Sequence, residues 1–146
     1  MSGRCAVSRI NVGRVIIGGL VAGLVINVSE FILNTWLLGA EMNAAMVRLN
    51  LPPIGGPGMA VFTVMGFAVG IATLWLYAAI RPRFSPGPTT ALVAGGLVWF
   101  FAYFYGSIGM AVMGLFPMRL IAVGMIWGLG ELLLAALAGA ALYQEA

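Results

Sequence analysis

The apolar positions of this chain fall into four long runs. They cover residues 15–38, 59–80, 89–111 and 120–143. A helix needs about 20 mainly apolar residues to cross the hydrocarbon core of a bilayer. Each run meets that length, the third only by continuing past Tyr105. The pattern predicts an all-α membrane protein, a four-transmembrane-helix bundle forming a single domain over residues 1–146. Gly106 and Gly109 lie in the third run and predict a break or an interfacial bend near Gly106.

The connections carry the breakers. The longest, residues 39–58, holds Pro52-Pro53-Ile54-Gly55-Gly56-Pro57-Gly58. Residues 81–88 read Arg-Pro-Arg-Phe-Ser-Pro-Gly-Pro and cannot be helical throughout. Pro117 closes the third connection. Within the first connection, Met42, Ala45, Met46 and Leu49 recur at helical spacing, with Glu41, Asn43, Arg48 and Asn50 largely elsewhere. This amphipathic segment, about residues 41–50, is expected to lie flat on the membrane surface. It serves either as a cover for the bundle end or as a lid over a pocket.

Small and polar residues form one stripe on each run, at spacings of three and four that keep them on one helix face. The stripes are Gly19, Gly23, Asn27, Glu30 and Asn34; Thr63, Gly66, Gly70, Thr73 and Tyr77; Gly95, Trp99, Tyr103 and Gly106; and Gly124, Gly128, Glu131, Ala135 and Gly139. Lipid gives such a stripe no use. Helix contacts do, because glycine lets backbones approach and polar groups bond across the interface. The stripes are therefore expected to face inward, with Gly19, Gly23, Gly66, Gly70, Gly124 and Gly128 as packing positions.

Composition removes whole classes of chemistry. Hydrophobic residues make up 62% of the chain and charged residues 8%, and mean hydropathy is +1.08. A soluble domain carries about a quarter charged residues, so a soluble enzyme, a nucleic-acid module and a disordered segment are all excluded. The charges are seven Arg and four Glu, with no Asp, Lys or His. Without His there is no imidazole ligand and no Ser-His or Cys-His pair. The single Cys5 cannot form an internal disulfide or a thiolate cluster. No cofactor and no metal site is expected.

Arginine also predicts orientation. Arg4, Arg9, Arg14, Arg81 and Arg83 fall on one side of a four-span protein, against Arg48 and Arg119 on the other. By the positive-inside rule both termini are cytoplasmic. Trp36 and Tyr105 then fall near the outer interface, and Trp75, Tyr77 and Tyr143 near the inner one. The basic start is too long in its apolar part for a cleaved signal peptide and lacks an Ala-x-Ala exit. An Arg-rich, acid-free start also resembles a mitochondrial presequence. The expected location is the bacterial inner membrane, multi-pass. The expected partners are the lipid bilayer and further copies or subunits of a membrane complex, not nucleic acid.

Glu30 and Glu131 stand apart. A charged side chain at the bilayer centre costs about 2.5–3.5 kcal/mol on insertion scales, so such residues face partners or water. At 1.5 Å per residue, Glu30 lies ~12 Å and Glu131 ~18 Å below the outer ends of their helices. Adjacent first and fourth helices would bring the two carboxyls together, with Tyr103 at similar depth and Asn27 and Asn34 flanking Glu30. Two anions in a low dielectric repel, so one of the pair is expected to hold a proton. Three uses follow: a hydrogen-bonded acid that pins helix register, proton or cation exchange, and a carboxylate-bound divalent ion. Two Glu without His make a poor ligand set for the last. The aromatic run from Trp99 to Tyr105 is either packing or the lining of a ring-binding pocket. Trp127 is too deep for an interfacial belt and is expected inside the bundle.

Residues Gly18-Gly-Leu-Val-Ala-Gly23 through Asn27, Glu30 and Asn34, the segment Leu76-Tyr-Ala-Ala-Ile-Arg-Pro-Arg-Phe84, and Trp127-Gly-Leu-Gly-Glu131 resemble an uncharacterised family of bacterial four-helix integral membrane proteins. That resemblance implies location and little more. In size and span count the chain is also similar to the small multidrug resistance family, whose members dimerise and use one membrane Glu of the first helix. Glu30 is the matching position. This chain departs from that family in its length, its extra segment between the first two spans and its second membrane carboxyl, Glu131. The leading expectation is a non-enzymatic accessory or scaffold component with a buried protonatable Glu pair. The alternative is a proton-coupled exporter of a cationic or apolar small molecule.

Overall fold

A computed structural model of the chain describes residues 9–144. Arg4, Cys5 and Glu145, used in the sequence reading, lie outside the described residues. All regular elements among the described residues are helical. They are α1 (Val12–Ile32), α2 (Gly39–Arg48), α3 (Gly56–Phe84), α4 (Pro88–Trp99), α5 (Tyr105–Val112) and α6 (Met118–Ala140). Two π-helical turns interrupt the series, at Leu33–Leu37 after α1 and at Phe100–Phe104 between α4 and α5. Four helical segments are long and apolar enough to cross a membrane: Val12–Leu37, Gly56–Phe84, Pro88–Val112 and Met118–Ala140. The chain thus reads as a multi-pass membrane protein.

Local chemistry sets the helix ends. The Asn11 side chain caps α1 by accepting from the Arg14 backbone N–H at 3.1 Å. A proline occupies one of the first two positions of α3 and of α4, where its missing N–H is harmless. α3 runs further than the sequence suggests, through Pro82 to Phe84. Proline removes one intrahelical bond, and here it does so only two residues before the helix stops. The turn that follows reverses direction in three residues, with Ser85 at φ 69° and Gly87 at φ 146°. α6 stops at Ala140, and Leu142 and Tyr143 close the end by donating to the carbonyls of Gly139 and Ala140.

The third span corrects the expected break near Gly106. It is continuous from Pro88 to Val112, and its irregularity is the π turn at Phe100–Phe104. A π turn inserts one residue and so rotates everything after it by about 100° relative to a regular helix. Gly106 therefore leaves the inward stripe, and a Cβ placed there meets nothing within 4 Å.

Around the bundle α1 packs on α3 and α6, and α4 packs on α6 and α3. Backbone approach governs these contacts. A Cβ on Gly23 would lie 2.7 Å from the Phe67 Cα, and one on Gly70 would strike the Gly19 carbonyl. A Cβ on Gly18 would lie 2.7 Å from the Gly139 carbonyl, joining α1 to α6. A Cβ on Gly95 would lie 2.8 Å from the Leu132 carbonyl, joining α4 to α6. The core between these crossings is Ala22, Leu74, Ala91, Ala94, Leu132 and Ala135, all fully buried. Gly124 does not join this pattern: nothing lies within 4 Å of its Cβ position. It is a packing position by spacing only, because no neighbour approaches α6 at that level, one turn before Gly128.

α2 is fastened at both ends. Glu41 forms an ion pair with Arg119, and Arg48 donates to the Leu115 carbonyl at 2.8 Å. Beneath it Leu33, Leu38 and Leu120 form a small apolar cluster with Met42, Phe116 and Trp127. These contacts hold α2 against the end of the first span and the start of α6. Tyr77 and Tyr143 depart from the expected interfacial belt. Both are buried at the end carrying the chain termini, with rings 5.8 Å apart edge to face. The Arg81 guanidinium lies 5.4 Å from the Tyr143 ring centre.

Candidate functional site

Three spans contribute one polar side chain each to a common point inside the bundle. Glu30 comes from the last turns of α1, Tyr103 from the π turn of the third span, and Glu131 from the middle of α6. The Tyr103 hydroxyl lies 2.8 Å from Glu30 Oε1 and 2.8 Å from Glu131 Oε1. The two carboxyls therefore meet across a single phenol oxygen. Glu131 is 3% exposed, and Glu30 is half-buried.

Proton counting follows from this geometry. A hydroxyl has one hydrogen and donates along one line. The other 2.8 Å contact is a hydrogen bond when that carboxyl is itself protonated and donates to the phenol oxygen. With a proton on one carboxyl in addition to the phenol's own, both contacts are hydrogen bonds. The second oxygen of Glu30 accepts from Asn34 Nδ2 at 2.7 Å, and the same amide donates to the Glu30 backbone carbonyl at 2.9 Å. Glu131 Oε2 is buried, and besides Tyr103 the Ser29 hydroxyl is a hydrogen-bonding neighbour of this carboxyl.

Both π turns adjoin this point. One begins three residues after Glu30 and contains Asn34; the other contains Tyr103. π-bulges are frequent at functional sites because they re-aim side chains that a regular helix would hold elsewhere. The packing glycine Gly128 has a specific use here. A Cβ on it would lie 2.6 Å from a Tyr103 ring carbon, so its absence lets the ring lie flat against α6.

Of the residues singled out by sequence, Glu30, Asn34, Tyr103 and Glu131 come together. Asn27 does not. Its amide donates to the Gly23 carbonyl at 2.8 Å and to the Thr63 carbonyl of α3 at 3.2 Å. Gly66 gives it room, since a Cβ there would lie 2.7 Å from the Asn27 amide nitrogen. Asn27 faces α3 while Glu30, three residues on, faces α6 and the third span. Sequence reasoning missed Ser29, whose hydroxyl accepts from the Trp127 indole N–H at 2.8 Å. Ser29 sits off the four-residue stripe, and the usable signal was Trp127, an indole too deep to reach water. Trp99 similarly donates to the Met125 carbonyl at 2.9 Å. No group of three or more metal-ligating side chains occurs among the described residues.

No protein family, curated protein or solved structure matches this chain, so the functional reading rests on this cluster.

Proposed function

We propose that this chain is a small, non-enzymatic component of the bacterial inner membrane, with both termini cytoplasmic, acting as an accessory or scaffold subunit. Its working element is a proton-sharing tie between the first, third and fourth spans. One observation carries the reading: the Tyr103 hydroxyl stands 2.8 Å from a carboxyl oxygen of each of Glu30 and Glu131. With the extra proton in place the cluster links three helices. Without it two anions face one phenol in a low dielectric, and the link becomes a repulsion. The arginine distribution supports the orientation.

Tyr103→Phe tests the tie. It removes the shared hydroxyl and leaves carboxyl oxygens unpaired, at about 1–3 kcal/mol. The variant is expected to unfold earlier in detergent than wild type and to lose the infrared carbonyl band of a hydrogen-bonded carboxylic acid. Wild-type stability together with an unchanged band would sink the proposal.

A proton-coupled carrier of a cationic or apolar small molecule is the second reading. The position of Glu131 favours it, since this buried carboxyl lies at the edge of a hollow between α1 and α6. Proton release on adding a cation, lost in Glu30→Gln and Glu131→Gln, separates it from the first.

A further inference from the structure

The carboxyl cluster meets different surroundings on its two sides. Toward the α2 end its polar groups continue almost to the membrane surface. Glu30 is half-buried, and its second oxygen accepts from the amide of Asn34, which is exposed. Asn34 stands three residues before Leu37, where the first membrane-crossing stretch ends, and at 1.5 Å per residue that is about 5 Å. Toward the chain termini the cluster stands on a dry layer. Ala22, Leu74, Ala91, Ala94, Leu132 and Ala135 are each 0% exposed. Packing this close leaves few voids that could hold water. The buried hydroxyls on that side, Thr73 and Thr90, donate to the backbone carbonyls of Val69 and Ser85, so neither carries a polar path onward. From Glu131 to the end of α6 at Ala140 is nine residues, about 14 Å.

Sideways there is no water either. The hollow beside Glu131 is walled by Ile126, Trp127 and Leu134 and lies within the membrane-crossing parts of α1 and α6, so it opens to lipid. Glu131 itself is 3% exposed. The polar neighbours of its carboxyl are Ser29, Tyr103 and, through the phenol, Glu30. No other charged side chain reaches this level. The third span, Pro88–Val112, has none. Arg81 and Arg83 lie in the last turn of α3, and Arg14 lies near the start of α1. Arg119 of α6 is taken up by Glu41 at the α2 end.

We infer that Glu131 gains and loses its proton from the α2 side of the membrane, by way of Glu30 and Tyr103. With Glu30 protonated, its Oε1–H donates to Tyr103 Oη, and the phenol donates to Glu131 Oε1. In the transfer the Glu30 O–H bond breaks as a new Oη–H bond forms, and the original Oη–H bond breaks as a Glu131 O–H bond forms. The phenol ends neutral, no electron is exchanged, and the final arrangement mirrors the first. The two 2.8 Å contacts are within the reach that such a transfer needs. Glu30, left as the carboxylate, then takes a proton from water beside Asn34. Deprotonation runs the same steps backward. In the orientation proposed above, the α2 side faces away from the cytoplasm, so the tie follows the pH on that side and is blind to cytoplasmic pH. The inference rests on the shared-proton tie and adds the side that controls it. It also sets the chain apart from a carrier, whose site must open to both sides in turn.

The test uses the full-length chain with a C-terminal affinity tag, reconstituted at no more than one copy per phosphatidylcholine–phosphatidylglycerol vesicle. Capture on beads separates vesicles with the chain termini outside from those with the α2 side outside. The outer pH is stepped while trapped buffer holds the inside, and the infrared band of the carboxylic acid is followed. A step on the α2 side is expected to change the band at least about tenfold faster than the same step on the termini side. Glu30→Gln puts an amide in the path, which cannot pass a proton on. It is expected to keep an acid band from Glu131 and to slow the response on the α2 side at least about tenfold. Equal responses from the two sides would overturn the inference and leave the tie standing, as would a Glu131 band in Glu30→Gln that answers as fast as wild type. The absence of an acid band at every pH would remove the tie and this route with it. If Glu30→Gln fails to fold, the wild-type comparison of the two sides decides alone.

Discussion

The end of the bundle that carries the chain termini and the region around Tyr103 both bury tyrosine hydroxyls, and they do so in opposite ways. At the terminal end, Tyr143 Oη accepts from the Asn11 backbone N–H at 3.3 Å, and Tyr77 Oη accepts from the Gly87 N–H at 3.4 Å. Those partners are backbone groups that never change charge, and no π turn lies there. Around Tyr103 the partners are two carboxyls, and the helices on two of the three contributing spans widen into π turns. A hydroxyl on backbone donors is a fixed joint. A hydroxyl between two acids is a joint whose strength depends on a proton.

Three substitutions rank the two kinds of joint against plain helix packing. The largest effect is expected from Gly70→Leu. Its side chain would enter the α1 backbone at Gly19 and Gly23, and overpacking of this kind costs about 1–3 kcal/mol or more. Loss of a folded, monodisperse species in mild detergent checks it, and a well-folded variant would show that the α1–α3 approach is looser than described.

Gly128→Ala should come next. The new methyl pushes on the Tyr103 ring, so the effect is that of losing one buried hydrogen bond, about 1–3 kcal/mol. It should copy the infrared signature of Tyr103→Phe without altering any hydrogen-bonding group. A Gly128→Ala protein with a wild-type acid band would mean that the ring has room to move and that the joint does not depend on this glycine. Gly124→Ala should be smallest, within about 0.5 kcal/mol in a thermal melt, because its Cβ enters open space. A loss as large as that of Gly128→Ala would imply that α6 meets a partner on that face, such as a second copy of the chain.

Much of the fold was legible along the chain because lipid imposes a simple rule: long apolar runs become spans and breakers become turns. The amphipathic α2 was legible for the same reason. The meeting of Glu30 with Glu131 was readable as an expectation from depth and stripe position. The hidden parts each depend on a rotation. Gly106 and Gly124 share the spacing of true packing glycines, yet the π turn rotates Gly106 away and no neighbour comes close to Gly124. Asn27 and Glu30 share a stripe, yet one faces α3 and the other faces α6 and the third span. Tyr77 and Tyr143 have the composition of an interfacial belt, yet both are buried, with Asn11 and Arg81 against Tyr143 and Gly87 against Tyr77.

The sequence by itself determined the number of spans, their lengths and the presence of two acids inside the membrane, because each follows from hydropathy and rise per residue. Only the tertiary structure decided that a single phenol sits between the acids, that Gly128 makes room for it, and that Ser29, off the four-residue stripe, neighbours Glu131. Periodicity places a residue on a helix face to within a turn. A hydrogen bond of 2.8 Å depends on how two π turns and three packed helices rotate that face, which no spacing along one chain segment encodes.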